Sequence, residues 1–447
     1  MKRPLSVLLL LLCAANAAFA QAPPLRLTLD EAVARGIEAS HRLEELSARQ
    51  EAAQAIADQR EAAELPQFAA MAGYTRINHV EEFGVSNPDG SFRVIYPDLV
   101  NRTQSRIDLQ WPIYTGGRLN ALTRAAGAEV DAAGQEREAA RADLKLEITR
   151  SFLAVLTARA AADVVRQALE RTSAHLTDVR NQLSVGLVPP SDVLTIEAQQ
   201  AHQRMLSIEA ETIAETTTAE FKRLVGLDQD LTVELIPTGG VGGMVSLPGS
   251  ADPPAPTKAV MDDARANRPE RKSLLFRINA AEDRVAAASA GNLPVLTAVA
   301  GYDIARPNLK IFPIQDKWTP SWDVGVNVRW SFFDGGRARA ETAEAAANRR
   351  AAEARLRDFD AGVEVEVRQR MAELTSATAG IEAAGVGVRS AAEARRVIAE
   401  RFSTGVATNM DVLDAQTALL QADLDLTRAR ASAELARARL QRALGRQ

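Results

Sequence analysis

Trp330-Ser331-Phe332-Phe333-Asp334-Gly335-Gly336-Arg337 repeats Trp111-Pro112-Ile113-Tyr114-Thr115-Gly116-Gly117-Arg118 at a spacing of 219 residues. The register holds downstream: Gly186 matches Gly405, Asp192-Val193-Leu194 matches Asp411-Val412-Leu413, and Gly226 matches Gly445. A match kept over half the chain marks an internal duplication, so any fold has to accommodate both copies. All four tryptophans and all four tyrosines fall in two stretches, 74–114 and 302–330.

Those aromatic stretches carry a period of two. Trp322, Val324, Val326, Val328, Trp330 and Phe332 alternate with Asp323, Gly325, Asn327, Arg329 and Ser331. In the first copy Ile107, Leu109, Trp111 and Ile113 alternate with Arg106, Asp108 and Gln110. One face of each strand is apolar with aromatic ends, and the other is small or polar. Lipid outside, water inside and Trp or Tyr at the headgroups give a transmembrane barrel wall that pattern. A half-buried soluble sheet also alternates.

Partner strands follow Leu65-Pro66 and Leu293-Pro294: Phe68, Ala70, Ala72 and Tyr74 align with Leu296, Ala298, Ala300 and Tyr302. Two hairpins result, about 67–114 and 295–333. Their loops hold turn residues, Asn87-Pro88-Asp89-Gly90 and Arg306-Pro307-Asn308, and would face the exterior. Four strands cannot close a barrel, because the smallest membrane barrels use about 8. An open sheet in lipid leaves edge amides and carbonyls unpaired at several kcal/mol each, so the pattern demands an oligomer.

The chain start reads as an export signal over residues 1–20. Lys2 and Arg3 precede an apolar run from Leu5 to Leu12, and Ala18-Phe19-Ala20 supplies small residues ahead of Gln21. The only cysteine, Cys13, would leave with it, and Leu12 before it is too large for a lipoprotein site. Loss of Lys2 and Arg3 would move the formal charge from −5 to −7, which argues against nucleic acid as a partner. After the signal no apolar run reaches the roughly 20 residues that a membrane helix needs.

The remainder reads as helix. From Gly117 to about Gln182 and from Gly336 to about Phe402 there is no proline, alanine is abundant, and Leu, Ile and Val recur at helical spacing. Each run would be roughly 100 Å long at 1.5 Å per residue. Shorter helices are expected at about 29–63 and 191–225, with counterparts at about 258–290 and 409–443, the former interrupted near its start by Pro269. Thr28 with Glu31, Ser191 and Asn409 are expected N-caps. Pairs such as Glu138 with Arg141 or Glu353 with Arg357 suit wet helix faces. Repeats at 21–235 and 258–447 are thus joined by a Gly/Pro-rich linker at 236–257.

A signal peptide, paired Leu-Pro-started hairpins ending in Gly-Gly-Arg, two very long helices and matching Gly-x-x-x-x-x-Asp-Val turns closely resemble the TolC family of outer-membrane efflux channels. The resemblance covers essentially the whole mature chain. It implies a mainly α fold with a β-barrel part: internally duplicated antiparallel helical hairpins forming a trimeric α-helical barrel, joined to a twelve-stranded transmembrane β-barrel with four strands per chain. It also implies outer-membrane lipid around the barrel, a reach into the periplasm, a periplasmic adaptor (membrane fusion) protein and an inner-membrane transporter of RND or ABC type. Trp111, Tyr114, Trp322 and Trp330 are the candidate membrane belt.

The turns at 183–191 and 403–409 are candidate adaptor-docking tips, through Gly186, Leu187, Gly405 and Val406. Asp192, Asp411 and Asp414 are the candidate aperture residues. Asp411 and Asp414, three apart, share a helix face, and threefold symmetry would stack them into acidic rings that favour cations. Capping alone is the competing account, since an Asp in a first helical turn complements the helix dipole. The Tyr and Arg that help latch the closed aperture in the family fall here at Phe402 and Ala407, neither able to make those bonds. A resting state closed by packing and acidic rings is expected instead.

Signals for catalysis, cofactors or metals are lacking. His41, His79, His175 and His202 are scattered, with His175 and His202 flanking the first tip as an expected surface pair. Gly385-Val386-Gly387 reads as a close-packing or bend position in a helix. Two function classes remain: a passive export duct, for small molecules or type I secretion, and a periplasm-spanning tether without transport. Polar residues on one face of each strand favour the duct.

Overall fold

A computed structural model describes residues 24–237 and 257–446. The expected signal, with Cys13, and nearly all of the expected linker lie outside those residues. The elements run β1 (Leu25–Leu27), α1 (Leu29–Glu38), α2 (His41–Ala62), β2 (Gln67–Arg76), β3 (Phe83–Ser86), β4 (Phe92–Tyr96), β5 (Asn101–Tyr114), α3 (Arg118–Ser184), α4 (Pro190–Val225), β6 (Val233–Leu235), α5 (Lys258–Asn267), α6 (Pro269–Ser289), β7 (Val295–Arg306), β8 (Thr319–Arg329), α7 (Arg337–Ser403) and α8 (Asn409–Ala443).

Helices α3 and α7 are unbroken for 67 residues each. A side chain at the same repeat position starts both. Thr115 Oγ1 accepts from the Leu119 amide at 3.3 Å. Asp334 accepts from the Gly336 and Ala338 amides at 2.9 and 2.8 Å. Each satisfies helix-start donors that have no partner in the helix itself. None of the described helices is long and apolar enough to cross a membrane.

Several local expectations change. The run expected over 29–63 breaks after Glu38, where Ser40 Oγ takes the Leu43 amide and the chain restarts as α2. In the second copy the break falls at Arg268, held extended ahead of Pro269 by the proline ring. Thr28 and Glu31 form the expected capping box. Ser191 and Asn409 do not cap: the N-caps are Pro189, with Pro190 at the first helical position, and Thr408. Glu353 pairs with Arg349 at 3.3 Å rather than with Arg357. Gly387 has open space where a side chain would stand, so close packing within this chain does not explain it. The loop after β2 also folds its own small hairpin, β3 with β4, turned at Asn87–Gly90.

The chain divides into two compact units, and each takes segments from both repeats. One holds the described residues of 45–137 and 269–359 and contains the four-stranded antiparallel sheet in the order β2-β5-β7-β8. Its helices are laced by ion pairs, Arg124 with Asp283 at 2.8 Å and Arg284 with Glu129 at 2.9 Å. The other holds the described residues of 1–44, 138–268 and 360–447. Its main core gathers Ile148, Phe152, Val155, Phe221 and Val225 around Leu27, Val233 and Leu235. Those last three belong to β1 and β6, which pair in parallel, Leu25 with Val233 and Leu27 with Leu235.

Phe152 is fully buried and meets Phe221 edge to face, ring centroids 6.0 Å apart. Truncating it leaves a cavity in a close-packed interior. Phe152→Ala should destabilise this unit by about 3–5 kcal/mol, read as a lower denaturant midpoint for loss of helical signal. An unchanged midpoint would show that this cluster does not hold the unit together.

Candidate functional site

The sheet separates its chemistry by face. Register aligns Phe68, Leu109, Ala300 and Val324 in one row across the four strands, and Ala70, Ile107, Tyr302 and Trp322 in the next. These side chains share one face, and it is largely uncovered: Phe68 is 73% exposed, Trp322 74% and Val324 73%. Trp111 and Tyr114 lie on β5 near its end, and Trp330 just past β8, where its Nε1 donates to the Asn292 carbonyl at 3.1 Å. Tyr74, Tyr302 and Trp322 stand toward the opposite end of their strands. The apolar surface is therefore bracketed by aromatics at both ends.

The other face carries ion pairs. Arg106 donates to Asp108 at 2.7 Å and, with two nitrogens, to Asp323 at 3.0 and 3.1 Å. Asp303 accepts from Ser321 and from Gln104. The alternation of Arg106, Asp108 and Asp323 is visible in the sequence. That Arg106 on β5 reaches over β7 to Asp323 on β8 requires the strand order, which no single strand contains.

The two helical turns are built alike in the other unit. Gly186 and Gly405 take positive φ of 76° and 75°. The Leu187 amide returns to the Gln182 carbonyl at 2.9 Å and the Val406 amide to Arg401 at 2.8 Å. Gly186 closes on Leu183 and Gly405 on Phe402 at 2.9 and 3.0 Å. Each is a Schellman motif, in which glycine adopts the left-handed conformation at little cost and satisfies the last helix carbonyls. The residue after each glycine is thrown outward: Leu187 is 74% exposed and Val406 65%.

The carboxylates divide in role. Asp411 accepts from the Thr408 amide at 2.8 Å and from its hydroxyl at 2.7 Å, while Thr408 Oγ1 accepts from the Asp411 amide at 3.2 Å. The capping account therefore applies to Asp411, whose backbone and hydroxyl bonds from Thr408 hold its carboxyl below the usual aspartate range. Asp414 is exposed on the same helix, and Asp192 is partly exposed in the first turn of α4.

His175 is not a surface partner of His202. It is buried, and its Nε2 donates to Asn409 Oδ1 at 2.7 Å, while Asn409 Nδ2 donates to the Asp192 carbonyl at 3.3 Å. Because the amide nitrogen is committed to a carbonyl, its oxygen faces the histidine. Phe402 packs edge-on against His175, centroids 5.2 Å apart, beside Leu176, Val179, Val193, Ile196 and Leu413. Asn409 thus ties three helices from both repeats at the tips, and nothing in local sequence signals it beyond a polar residue at a helix start. Among the described residues no cluster of three or more metal-ligating side chains occurs.

The sequence pattern of the outer membrane efflux protein family matches residues 34–227 and 260–446. Protein CyaE of Bordetella pertussis is 24% identical over 333 residues, 73% of this chain and 67% of that protein. Outer membrane protein TolC of Vibrio cholerae is 23% identical over 322 residues, 70% of each chain. The crystal structure of the outer membrane protein VceC from Vibrio cholerae superposes with a TM-score of 0.77 at 20% identity, over 93% of this chain and 96% of that one.

A lowered folded-state pKa means that Asp411 stabilises the start of α8 fully above the ordinary aspartate range. That contribution is lost as pH falls through the folded value. Hydrogen exchange at amides 409–412, corrected for intrinsic rate, should therefore quicken at acid pH. Asp411→Ala should quicken it at neutral pH, whereas Asp414→Ala should not. Equal exchange in all three proteins would dissolve the division of roles.

Proposed function

Because the chain belongs to the outer membrane efflux protein family, we propose that it is the outer-membrane duct of a tripartite export system. Three copies close one twelve-stranded barrel, each supplying one hairpin from the repeat at 21–235 and one from the repeat at 258–447. The observation that carries this reading is the sheet with one exposed apolar face and one ion-paired polar face. Strands β2 and β8 are the edges of the sheet within the chain. In lipid those edges have to pair, and a neighbouring copy supplies the partner strand. From Thr103, opposite Tyr74, to Tyr114 the strand covers about 36 Å at about 3.3 Å per residue. A tilt of about 40° brings that to about 28 Å, close to the apolar band of a membrane barrel.

The helical tips are the proposed docking points. Leu187 and Val406 are apolar, outward and fixed by rigid turns, which suits capture by a periplasmic adaptor coupled to an inner-membrane pump of RND or ABC type. In a threefold assembly Asp414, with Asp411 and Asp192 near it, lines the aperture and favours cations. Phe402 contributes packing against His175, and Ala407 offers no cation to a carboxylate. Cargo is small molecules or a type I secreted polypeptide, selected by the pump. The competing tether needs no water-lined wall.

Purified protein should open stable ion channels in planar bilayers, and a protein that assembles as trimers without conductance would turn the reading toward the tether. Leu187→Cys and Val406→Cys, crosslinked in intact envelopes, should capture an adaptor together with either a proton-driven or an ATP-driven pump. Trimers that capture neither would remove the docking role of these turns.

A further inference from the structure

The segment between β7 and β8 does not stand away from the sheet. Asn308 is buried, its Nδ2 donating to the Thr319 carbonyl at 2.8 Å and to Ser321 Oγ at 3.0 Å, while its Oδ1 accepts from the Lys310 amide at 2.9 Å. At its base Arg306 grips Asp316 with two bonds of 2.9 and 3.0 Å. Lys310 then reaches onto the polar face of the sheet, 2.7 Å from Asp323 and 3.6 Å from Asp303.

Those two carboxylates belong to the ion-paired group already described. Asp323 is shared between Lys310 and the bidentate Arg106. Asp303 is 2% exposed and also takes the Ser321 hydroxyl. Gly301 makes the arrangement possible. A Cβ there would stand 2.0 Å from Arg106 Nη2 and 2.6 Å from its Cζ, so a side chain at this position displaces the guanidinium from its present path over β7. Arg106 and Lys310 face Asp108, Asp303 and Asp323, which leaves one net negative charge on the group.

We propose that residues 307–318 form a strap pinned by Asn308 and Lys310 over the polar face of the sheet, and that Lys310 and Arg106 are selectivity-determining residues of the channel at that end. This inference rests on the channel reading. In a closed barrel three straps narrow the lumen, and three copies of the charged group line it. Charged groups ringing a narrow water path set which ions pass and how readily. Releasing Lys310 widens the path and leaves Asp303 and Asp323 with less compensation, so both conductance and cation preference rise. The permeant species through which this is read is the inorganic ion.

The test is single-channel recording of the full-length protein in planar bilayers under a potassium chloride gradient. Lys310→Ala should raise conductance about twofold and move the reversal potential toward cation selectivity, an effect weakened at high salt. Lys310→Arg should behave as the unaltered protein. Gly301→Ala, which displaces Arg106 without touching the loop, should alter selectivity with a smaller change in conductance, so the proposal survives failure of one variant to assemble. Channels whose conductance and reversal potential are the same in Lys310→Ala and the unaltered protein would overturn the strap and leave the channel reading standing. An unaltered protein that gives no conductance overturns both.

Discussion

A hydrocarbon layer contains no water to take up an unpaired amide or carbonyl, so every backbone polar group within it has to be bonded inside the protein. In the membrane-spanning duct proposed above, that single constraint organises the sheet. A sheet of four strands with an exposed apolar face satisfies its interior groups through the β2-β5-β7-β8 ladder and leaves two edges. In the closed three-chain barrel proposed above those edges pair and vanish. On that reading the need for partners comes from the backbone, before any side chain is asked to recognise another copy.

The helical unit answers a different demand, which is to make long helices stop and reverse at a defined place. Propensity alone would let α3 and α7 fray. The Schellman turns at Gly186 and Gly405 bind the last carbonyls and launch the next helix at once. Starting the returning helices uses two solutions. Paired prolines begin α4 with φ already set. A capping box between Thr408 and Asp411 begins α8. One consequence is that the matching aspartates, Asp192 and Asp411, are not equivalent. Asp411 is committed to its helix start, while the Asp192 carbonyl receives Asn409 from the other repeat.

Much of this was legible in the residues. The duplication, the limits of the two long helices and the face of each strand follow from periods and from punctuation by Gly and Pro, which are local properties. The hairpin β3-β4 is written in Phe83, Val85, Phe92 and Val94 around the turn at Asn87–Gly90, but its strands are too short for their alternation to stand out from a loop. The paired strands of each hairpin were legible, but contacts between side chains far apart in the chain were not. His175 and Asn409 are 234 residues apart. Arg106 and Asp323 are 217 apart, and they meet only because β7 lies between their strands with a glycine at the crossing. Register converts pattern into contact, and register is a property of the folded sheet. Ser191 and Asn409 differ from the observed caps for a smaller reason: adjacent Pro189 and Thr408 compete for the same position, and local geometry decides.

The two repeats share a scaffold and differ where it meets its surroundings. In the first, the loop between paired strands folds a small hairpin with exposed Phe83, Val85 and Phe92, and His79 lies 2.6 Å from Asp98 at its base. The second has a shorter segment drawn onto the polar face by Asn308 and Lys310. In the barrel proposed above one face of the sheet meets lipid and the other water, so the two loops need not be alike. Lys310 and Asn308 find their partners on the polar side of the sheet, where Asp303, Asp323 and Ser321 stand. The two loops thus differ in what they bond to, the first to itself and the second to the sheet, while the alternating strand pattern beneath them is kept in both repeats.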